Sequence, residues 1–175
     1  AKKIKERLLL KTKAMTAEKK RVEVLFKYDS PILEEAIIEV LWAEVVDEEK
    51  GIYQLKDIPF YGASIATDDE FHATYDKEES GLLYRQTTKS SGNSVAVVAI
   101  INEEYDSEAM MEAFEKLGCT IEELNDRYFA MEVPTKVFYG EVKKIFDEHE
   151  EDNLEYAEAY LSAKHQGDLR RGGKK

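Results

Sequence analysis

Few side chains in this sequence have the chemistry of a nucleophile, a base or a soft metal ligand. Cys119 is the single cysteine, and there are three histidines. Cys119 follows the predicted end of a helix, where the helix dipole disfavours a thiolate, so we expect a small core residue. His72 alternates with apolar neighbours in a predicted strand and should be structural, whereas His165 lies beside a basic end of the chain and should be exposed. One cysteine also excludes an intrachain disulfide and a zinc site built from cysteines.

An acidic run around His149 is the candidate for a metal site. Residues Asp147 to Asp152 would hold a divalent cation if several of their carboxylates converged. Consecutive residues at a helix end point in different directions, however, and no second histidine lies at ligand spacing. We therefore expect a solvated charge run here, with no metal ion and no cofactor.

Sequence motifs of common enzymes are absent. The chain has no G-x-S-x-G nucleophile elbow, no H-E-x-x-H zinc helix, and neither G-x-x-x-x-G-K nor G-x-G-x-x-G for binding phosphates. Its 37 Asp and Glu residues are too numerous for one acid/base pair to be singled out. The sequence therefore predicts a protein that is not an enzyme.

Acidic side chains adjoin aromatic ones at two places in the chain. One acidic cluster follows Phe60 and Tyr61, and the other precedes Tyr156 and Tyr160. Aromatic anchors inside an acidic rim suit the recognition of a basic protein surface, although a core of aromatics under a solvated acidic surface is the alternative. The predicted partner-binding residues are Tyr61, Asp68, Asp69, Glu70, Glu148, Glu150, Glu151, Asp152 and Tyr156.

The charge distribution favours the same kind of partner. The 175 residues carry a net charge of -12, but residues 1–21 hold nine Lys and Arg against two Glu, and residues 164–175 hold five against one Asp. Subtracting the +7 and +4 of these ends leaves -23 on residues 22–163. Such a body repels nucleic acid and anionic membranes and attracts cationic protein surfaces. The basic ends are expected to be flexible tails, with an amphipathic helix through Ile4, Leu8 and Leu9 as the alternative for the first.

Periodicity in the first half predicts strands. Apolar residues alternate with polar ones at Val24, Phe26 and Tyr28, which indicates a strand with one buried face. Further strands are predicted in residues 37–46, 52–55, 71–75 and 82–89, with a hairpin loop at 76–81; residues 34–38 are alternatively helical. Residues 22–90 should therefore form a small curved β-sheet or a partial barrel.

The second half has a different pattern. Residues 95–101 are a continuous apolar strand, and a helix follows with Met110, Ala113, Phe114 and Leu117 on one side. Two paired strands at 120–124 and 127–133 precede a second helix, which starts at Pro134-Thr135 with Phe138, Val142 and Ile145 inward. Residues 154–161 fit a strand or a helix, and a strand completes a ferredoxin-like β-α-β-β-α-β unit over residues 91–163. The predicted fold class is α+β.

Several segments resemble one bacterial family. They are Val24 to Phe26, Leu41 to Glu44, Tyr53 to Tyr61, Leu117 to Cys119, Ala130 to Pro134 and Tyr156 to Glu158. Together, over residues 22–163, they resemble the small bacterial proteins grouped as domain of unknown function 4265; the Leu-Trp-Ala-Glu strand and the Asp-Ile-Pro-Phe turn are the most specific. The resemblance supplies no catalytic residues. It implies a stand-alone cytoplasmic protein, similar in some members to immunity proteins encoded beside bacterial toxins, and the basic N-terminal segment departs from the family pattern.

The function expected from these observations is non-catalytic. An acidic immunity-type protein (an antitoxin in the broad sense) would neutralise a bacterial toxin by covering the basic surface of its active site. The alternative is a regulatory domain of ferredoxin-like type that binds a small ligand, by analogy with the predicted fold. No apolar run is long enough to span a bilayer, and the N-terminus lacks the apolar stretch of a signal peptide, so we expect a cytoplasmic location without membrane insertion.

Overall fold

The computed structural model describes residues 19–172, which form nine strands and three helices. The fold is mixed α/β, mostly β, with two mainly antiparallel sheets. The strands are β1 Arg21–Ser30, β2 Glu35–Asp47, β3 Ile52–Leu55, β4 Glu70–Asp76, β5 Gly81–Lys89, β6 Ser94–Ile100, β7 Thr120–Asn125, β8 Tyr128–Val133 and β9 Leu154–Tyr160. The helices are α1 Glu108–Leu117, α2 Tyr139–His149 and α3 Ala163–Gly172.

Strands β1 to β5 form a closed barrel in chain order. Neighbouring strands pair antiparallel, and a parallel bridge between Leu25 and Leu83 joins β5 back to β1. Aromatic rings fill the interior: the ring centroids of Phe26 and Tyr84 are 5.0 Å apart, and those of Phe26 and Phe71 are 5.4 Å apart. The predicted strands are confirmed, and the bridge completes a barrel that the sequence indicated only as curved or partial.

The second sheet has the strand order β7-β8-β6-β9, and helices cover one face of it. Ala96 and Val98 of β6 pack toward the helices, whereas Val95 and Val97 pack toward the barrel side. This double burial is why the strand is a continuous apolar run. Phe114 of α1 is fully buried, as predicted, and Gly118 ends that helix with φ 103°, a left-handed backbone that favours glycine.

A shared apolar layer joins the barrel to the sheet. Ile58 and Ala66, from the connection between β3 and β4, pack against Val95, Val97 and Ala130 of the sheet. The connection between β3 and β4 therefore packs between the barrel and the second sheet. The division into subdomains at residues 22–90 and 91–163 stays a prediction, because this layer belongs to both.

Helix α2 starts later than predicted and presents a different face. It begins at Tyr139, and its buried residues are Tyr139, Val142 and Phe146. Phe138 is 44% exposed and Ile145 is only partly buried, so the predicted inward set was wrong at Phe138. Phe138 lies before the first helical turn with an extended backbone (ψ 115°), which takes it off the helical period on which the prediction relied.

The predicted C-terminal tail is largely a helix. Residues 164–172 lie within α3, where His165 is fully buried and Asp168 is 4% exposed. Both the tail and the exposed His165 were therefore wrong predictions. Hydropathy could not reveal this helix, because it docks mainly through polar side chains whose hydrogen bonds are satisfied inside the protein.

The predicted N-terminal tail, residues 1–21, falls mostly outside the described residues. Arg21 already belongs to β1 and faces Glu44, and the backbone oxygen of Lys20 accepts a hydrogen bond from Val45. Within residues 19–172, no helix has the length and apolar character needed to cross a membrane.

Candidate binding groove beside strand β2

Part of strand β2 has a free edge. Its pairing with β3 starts at Ala43, where Leu55 is the partner, and no β-strand among the described residues pairs with the preceding part of that edge. Trp42 is held by the next segment instead: its N–H donates to Asp57 Oδ2 at 2.8 Å, and its carbonyl accepts from Lys56 N–H at 2.9 Å. The edge from Ile38 to Leu41 therefore faces a gap.

That gap is a groove of about 320 Å³ between β2, the segment that follows β3, and β7. We call it the β2 groove. It combines apolar, aromatic and acidic side chains in one place. Its lining residues are Ile38, Glu39, Val40, Leu41, Asp57, Ile58, Phe60, Tyr61 and Glu122.

Apolar side chains are exposed along the outer face of β2. Ile38, Val40 and Trp42 are 45%, 50% and 44% exposed and alternate with the buried Glu39 and Leu41. Three large apolar residues in a row on a solvent face are unusual for a soluble protein and typical of a surface that contacts a partner.

Glu39 occupies a position where the alternation of β2 requires a core residue. Its side chain is 7% exposed and accepts hydrogen bonds from the Tyr28 hydroxyl at 2.6 Å and from Phe60 N–H at 2.7 Å. Burial raises the pKa of the Glu39 carboxyl, and repulsion by Asp57 adds to this, while the hydrogen bonds from Phe60 and Tyr28 oppose it. A buried carboxyl in a groove is a common mark of a functional site.

Negative charge accumulates around the groove. Burial raises the pKa of Glu132, and repulsion by Asp68 and Glu122 contributes in the same direction. Lys56 opposes this rise in the pKa of Glu132, but its ammonium group already pairs with Asp68 at 2.8 Å and lies 3.8 Å from Glu44. Within residues 19–172, no ion pair compensates the carboxylates of Glu39 and Asp57. The groove thus presents a negative potential to a ligand.

Of the predicted binding residues, Tyr61 lines the groove, and three others lie along the same loop and the start of β4. Asp68 and Glu70 are partly exposed and form ion pairs, with Lys56 and with Lys89 at 3.8 Å. Asp69 is fully buried, so its prediction as a surface contact was wrong. Its carboxylate accepts hydrogen bonds from Ala66 N–H and from the N–H and hydroxyl of Ser91, at 2.8–3.0 Å, and so fixes the loop from within.

The second predicted cluster lies elsewhere. Glu148 lies in the last turn of α2, and Glu150, Glu151 and Asp152 follow the helix; all four are exposed. Helix α2 packs on the sheet face opposite the barrel-side layer, so the structure does not bring these residues together with Tyr61.

Tyr156 packs in the core beneath helix α2. Its ring stacks on Phe146 with centroids 3.8 Å apart, and its hydroxyl accepts a hydrogen bond from Lys143. The neighbouring His149 bonds through Nδ1 to the Tyr105 hydroxyl at 2.6 Å. Within the described part of the chain, no three His, Cys, Asp or Glu side chains converge as metal ligands do.

A second polar network, which the sequence analysis missed, docks α3. The Ser94 hydroxyl and His165 Nδ1 are 2.6 Å apart, and His165 Nε2 lies 3.1 Å from the carbonyl oxygens of Pro134 and Val137. Because both carbonyls can only accept, Nε2 carries the proton and Nδ1 accepts from Ser94. Burial, followed by repulsion from Lys164, lowers the pKa of His165. The pair is enclosed in the protein, and its role is to hold the helix.

Comparison with known proteins places the chain in a family. A family model described as a domain of unknown function, DUF4265, matches residues 39–156, which is 118 of the 175 residues. The chain belongs to this family. The matched span of this DUF4265 protein starts at Glu39 and includes Asp57, Tyr61 and Glu122 of the β2 groove.

One solved structure shares the fold of this DUF4265 protein. A hypothetical protein from Neisseria gonorrhoeae superposes with a TM-score of 0.71 at 19% identity, covering 82% of this chain and 96% of that one. At this identity the likeness shows the fold alone. No curated protein matches the sequence.

Proposed function

We propose that this protein is a non-catalytic acidic binding protein of the immunity type, which neutralises a bacterial toxin by covering its basic active-site surface. The observation that carries the proposal is the β2 groove, where exposed apolar side chains of β2 adjoin the uncompensated carboxylates of Glu39 and Asp57. An interface needs a desolvated apolar centre for affinity and complementary charge for specificity, and the groove offers both.

The charge of the body supports fast capture of such a partner. A charge of -23 on residues 22–163 steers a cationic surface over distances longer than a contact. In this proposal the exposed run of Glu148, Glu150, Glu151 and Asp152 contributes to the association rate, while the groove determines how long the complex lasts.

The proposal expects the adjacent gene to encode a basic, toxic protein, and it is tested by expressing the two proteins together in cells. Protection should be lost in the double variant Val40→Lys with Asp57→Asn. Replacing Glu148, Glu150, Glu151 and Asp152 by Ser should slow association but preserve protection. The same change at Asp47, the last residue of β2, and at Glu48 and Glu49 in the turn after it is the control. A neighbouring protein that is not toxic, or is not bound, would contradict the proposal.

The order of elements supports a finer fold assignment. From β6 to β9 the chain runs strand, helix, strand, strand, helix, strand, and the sheet order is β7-β8-β6-β9. We infer a ferredoxin-like unit for this half, because two central strands flanked by the second and fourth strands of the unit are its arrangement. A superposition on experimental coordinates of this chain would test the assignment.

The alternative function, a regulatory domain that binds a small ligand, is favoured by one further observation. A groove of about 220 Å³ lies on the sheet face opposite the helices, lined by Val97, Ala99, Tyr128 and Ala157 among others. A metabolite panel screened by thermal shift would support this alternative if a ligand raised the Tm in wild type but not in Ala99→Leu.

A further inference from the structure

The free edge of β2 points main-chain groups toward the β2 groove. On a strand, every second residue directs its N–H and C=O to the same side. Trp42 directs both groups away from β1, toward Lys56 and Asp57. Val40 and Ile38, two and four residues earlier, therefore direct theirs toward the same side, where the groove lies.

We propose that the β2 groove binds an extended, lysine-bearing segment of a partner protein, which adds as a strand to the edge of β2 between Ile38 and Leu41. This inference rests on the proposed function and names the chemistry of the partner. An extended segment gains main-chain hydrogen bonds from the edge, and its alternating side chains meet two different surroundings.

Apolar side chains of the segment meet one side of the added strand. Ile38, Val40 and Trp42 lie on the outer face of β2 and are about half exposed. An added strand would place its own apolar residues beside them, since neighbouring strands bring side chains on one face within contact distance. This pairing covers the exposed stripe of β2.

Lysine side chains of the segment meet the other side. Glu39 and Asp57 have no cationic partner within residues 19–172, and Phe60 and Tyr61 supply ring surface for the alkyl stem of a lysine. Charge complementarity therefore selects a cationic segment over an acidic or neutral one.

The test uses a synthetic seven-residue peptide of alternating leucine and lysine and reads the fluorescence of Trp42, the chain's one tryptophan. Binding should shift its emission to shorter wavelength as the indole leaves water. A peptide with glutamate in place of lysine should not bind. Two further peptides are N-methylated at alternate residues, one at the leucines and one at the lysines. Only one of them should lose binding, because only one set of N–H groups faces β2.

Two variants at exposed valines of one strand provide a matched comparison. Val40→Lys adds a charge inside the groove, whereas Val46→Lys adds the same charge at a similarly exposed position of β2, outside the groove residues. Affinity should fall at least about tenfold in Val40→Lys and stay within about twofold in Val46→Lys. Equal losses in both, or equal binding of the glutamate peptide, would overturn the inference.

Other occupants of the groove give different results. Without peptide, Trp42 emission that depends on protein concentration indicates that a second copy of the chain fills the groove. Trp42 emission that changes when residues 1–18 are removed indicates that the chain's own basic segment fills it. Either result overturns the inference. If Val40→Lys loses the peptide but still protects cells from the adjacent-gene protein, the inference fails while the proposed function stands. If the wild type neither protects nor binds that protein, the proposed function fails independently.

Discussion

The main-chain N–H of Phe60 donates a 2.7 Å hydrogen bond to the carboxylate of Glu39, and this contact ties the segment after β3 to the edge of β2. Tyr28 bonds to the other oxygen of the same carboxylate. Glu39 therefore links β1, β2 and the wall of the β2 groove through one buried side chain. Its position explains why a charged residue occupies a core position in an apolar strand.

Removal of the Glu39 carboxylate should destabilise the fold. Glu39→Ala leaves the Tyr28 hydroxyl and Phe60 N–H without their acceptor, at a cost of about 1–3 kcal/mol in the free energy of unfolding. Urea denaturation measures this directly. Glu23→Ala, on the exposed side of β1, is the control for loss of one carboxylate and should cost much less.

The pH dependence of stability should carry the signature of Glu39. Because its pKa is raised above 4.5, the folded protein keeps this proton to higher pH than the unfolded chain does, so its contribution to stability falls as the pH rises above 4.5. Glu39→Gln should remove the decline that begins above pH 4.5. An unchanged pH profile in the Gln variant would show that the groove does not perturb this group.

His165 should give a pH dependence of the opposite sign. Its pKa is lowered below 6.5 in the folded protein, so the unfolded chain takes up the proton first and the free energy of unfolding falls as the pH drops below 6.5. His165→Gln should flatten this decline, and His72→Gln, on a barrel strand, should preserve it. Denaturation midpoints at about pH 5 and pH 8 separate the two variants.

The packing of the helices is tested by two phenylalanines. Phe114 is fully buried with its ring centroid 4.9 Å from that of Phe146, so Phe114→Ala should cost about 3–5 kcal/mol. Phe138 is 44% exposed, and Phe138→Ala should cost far less. Similar losses in thermal or chemical denaturation would mean that α2 presents the face predicted from sequence instead.

Cys119 should be unreactive in the native protein. Burial raises the pKa of its thiol to about 12, and Glu132 contributes in the same direction. Labelling with a thiol reagent at neutral pH should therefore be slow and should accelerate in denaturant, because the thiolate is the reacting form. Rapid labelling of the folded protein would contradict the buried position.

The strands and α1 were predictable because their apolar residues follow one period. Val24 and Phe26 alternate along β1, and Met110 and Phe114 recur at helical spacing. Helix α3 was not predictable, because its buried side, His165 and Asp168, is polar and depends on acceptors and donors brought from distant elements. The sequence of α3 itself does not identify those partners.

The candidate site was predictable only in part. Tyr61 was predicted because an aromatic residue beside acids indicates a binding surface; it lines the β2 groove, and its role in binding stays a prediction. Asp69 has the same local signature but turns inward to bond Ser91, 22 residues away. The sequence does place the Glu39 carboxylate at an inward position of an alternating strand. That position alone does not show whether the carboxylate is buried or solvated, because its partners Tyr28 and Phe60 are known only from the structure.

The assignment of the β2 groove as the binding site is tested by an NMR titration of the ¹⁵N-labelled protein with the adjacent-gene protein or, in its absence, the leucine–lysine peptide. We expect the amide signals of residues 38–42, 57, 58, 60 and 61 to shift most, with smaller changes at 147–152 that vanish on going from about 50 to 500 mM salt as exposed charges are screened. Shifts confined to 147–152, with residues 38–42 unchanged, would contradict the assignment of the β2 groove as the binding site.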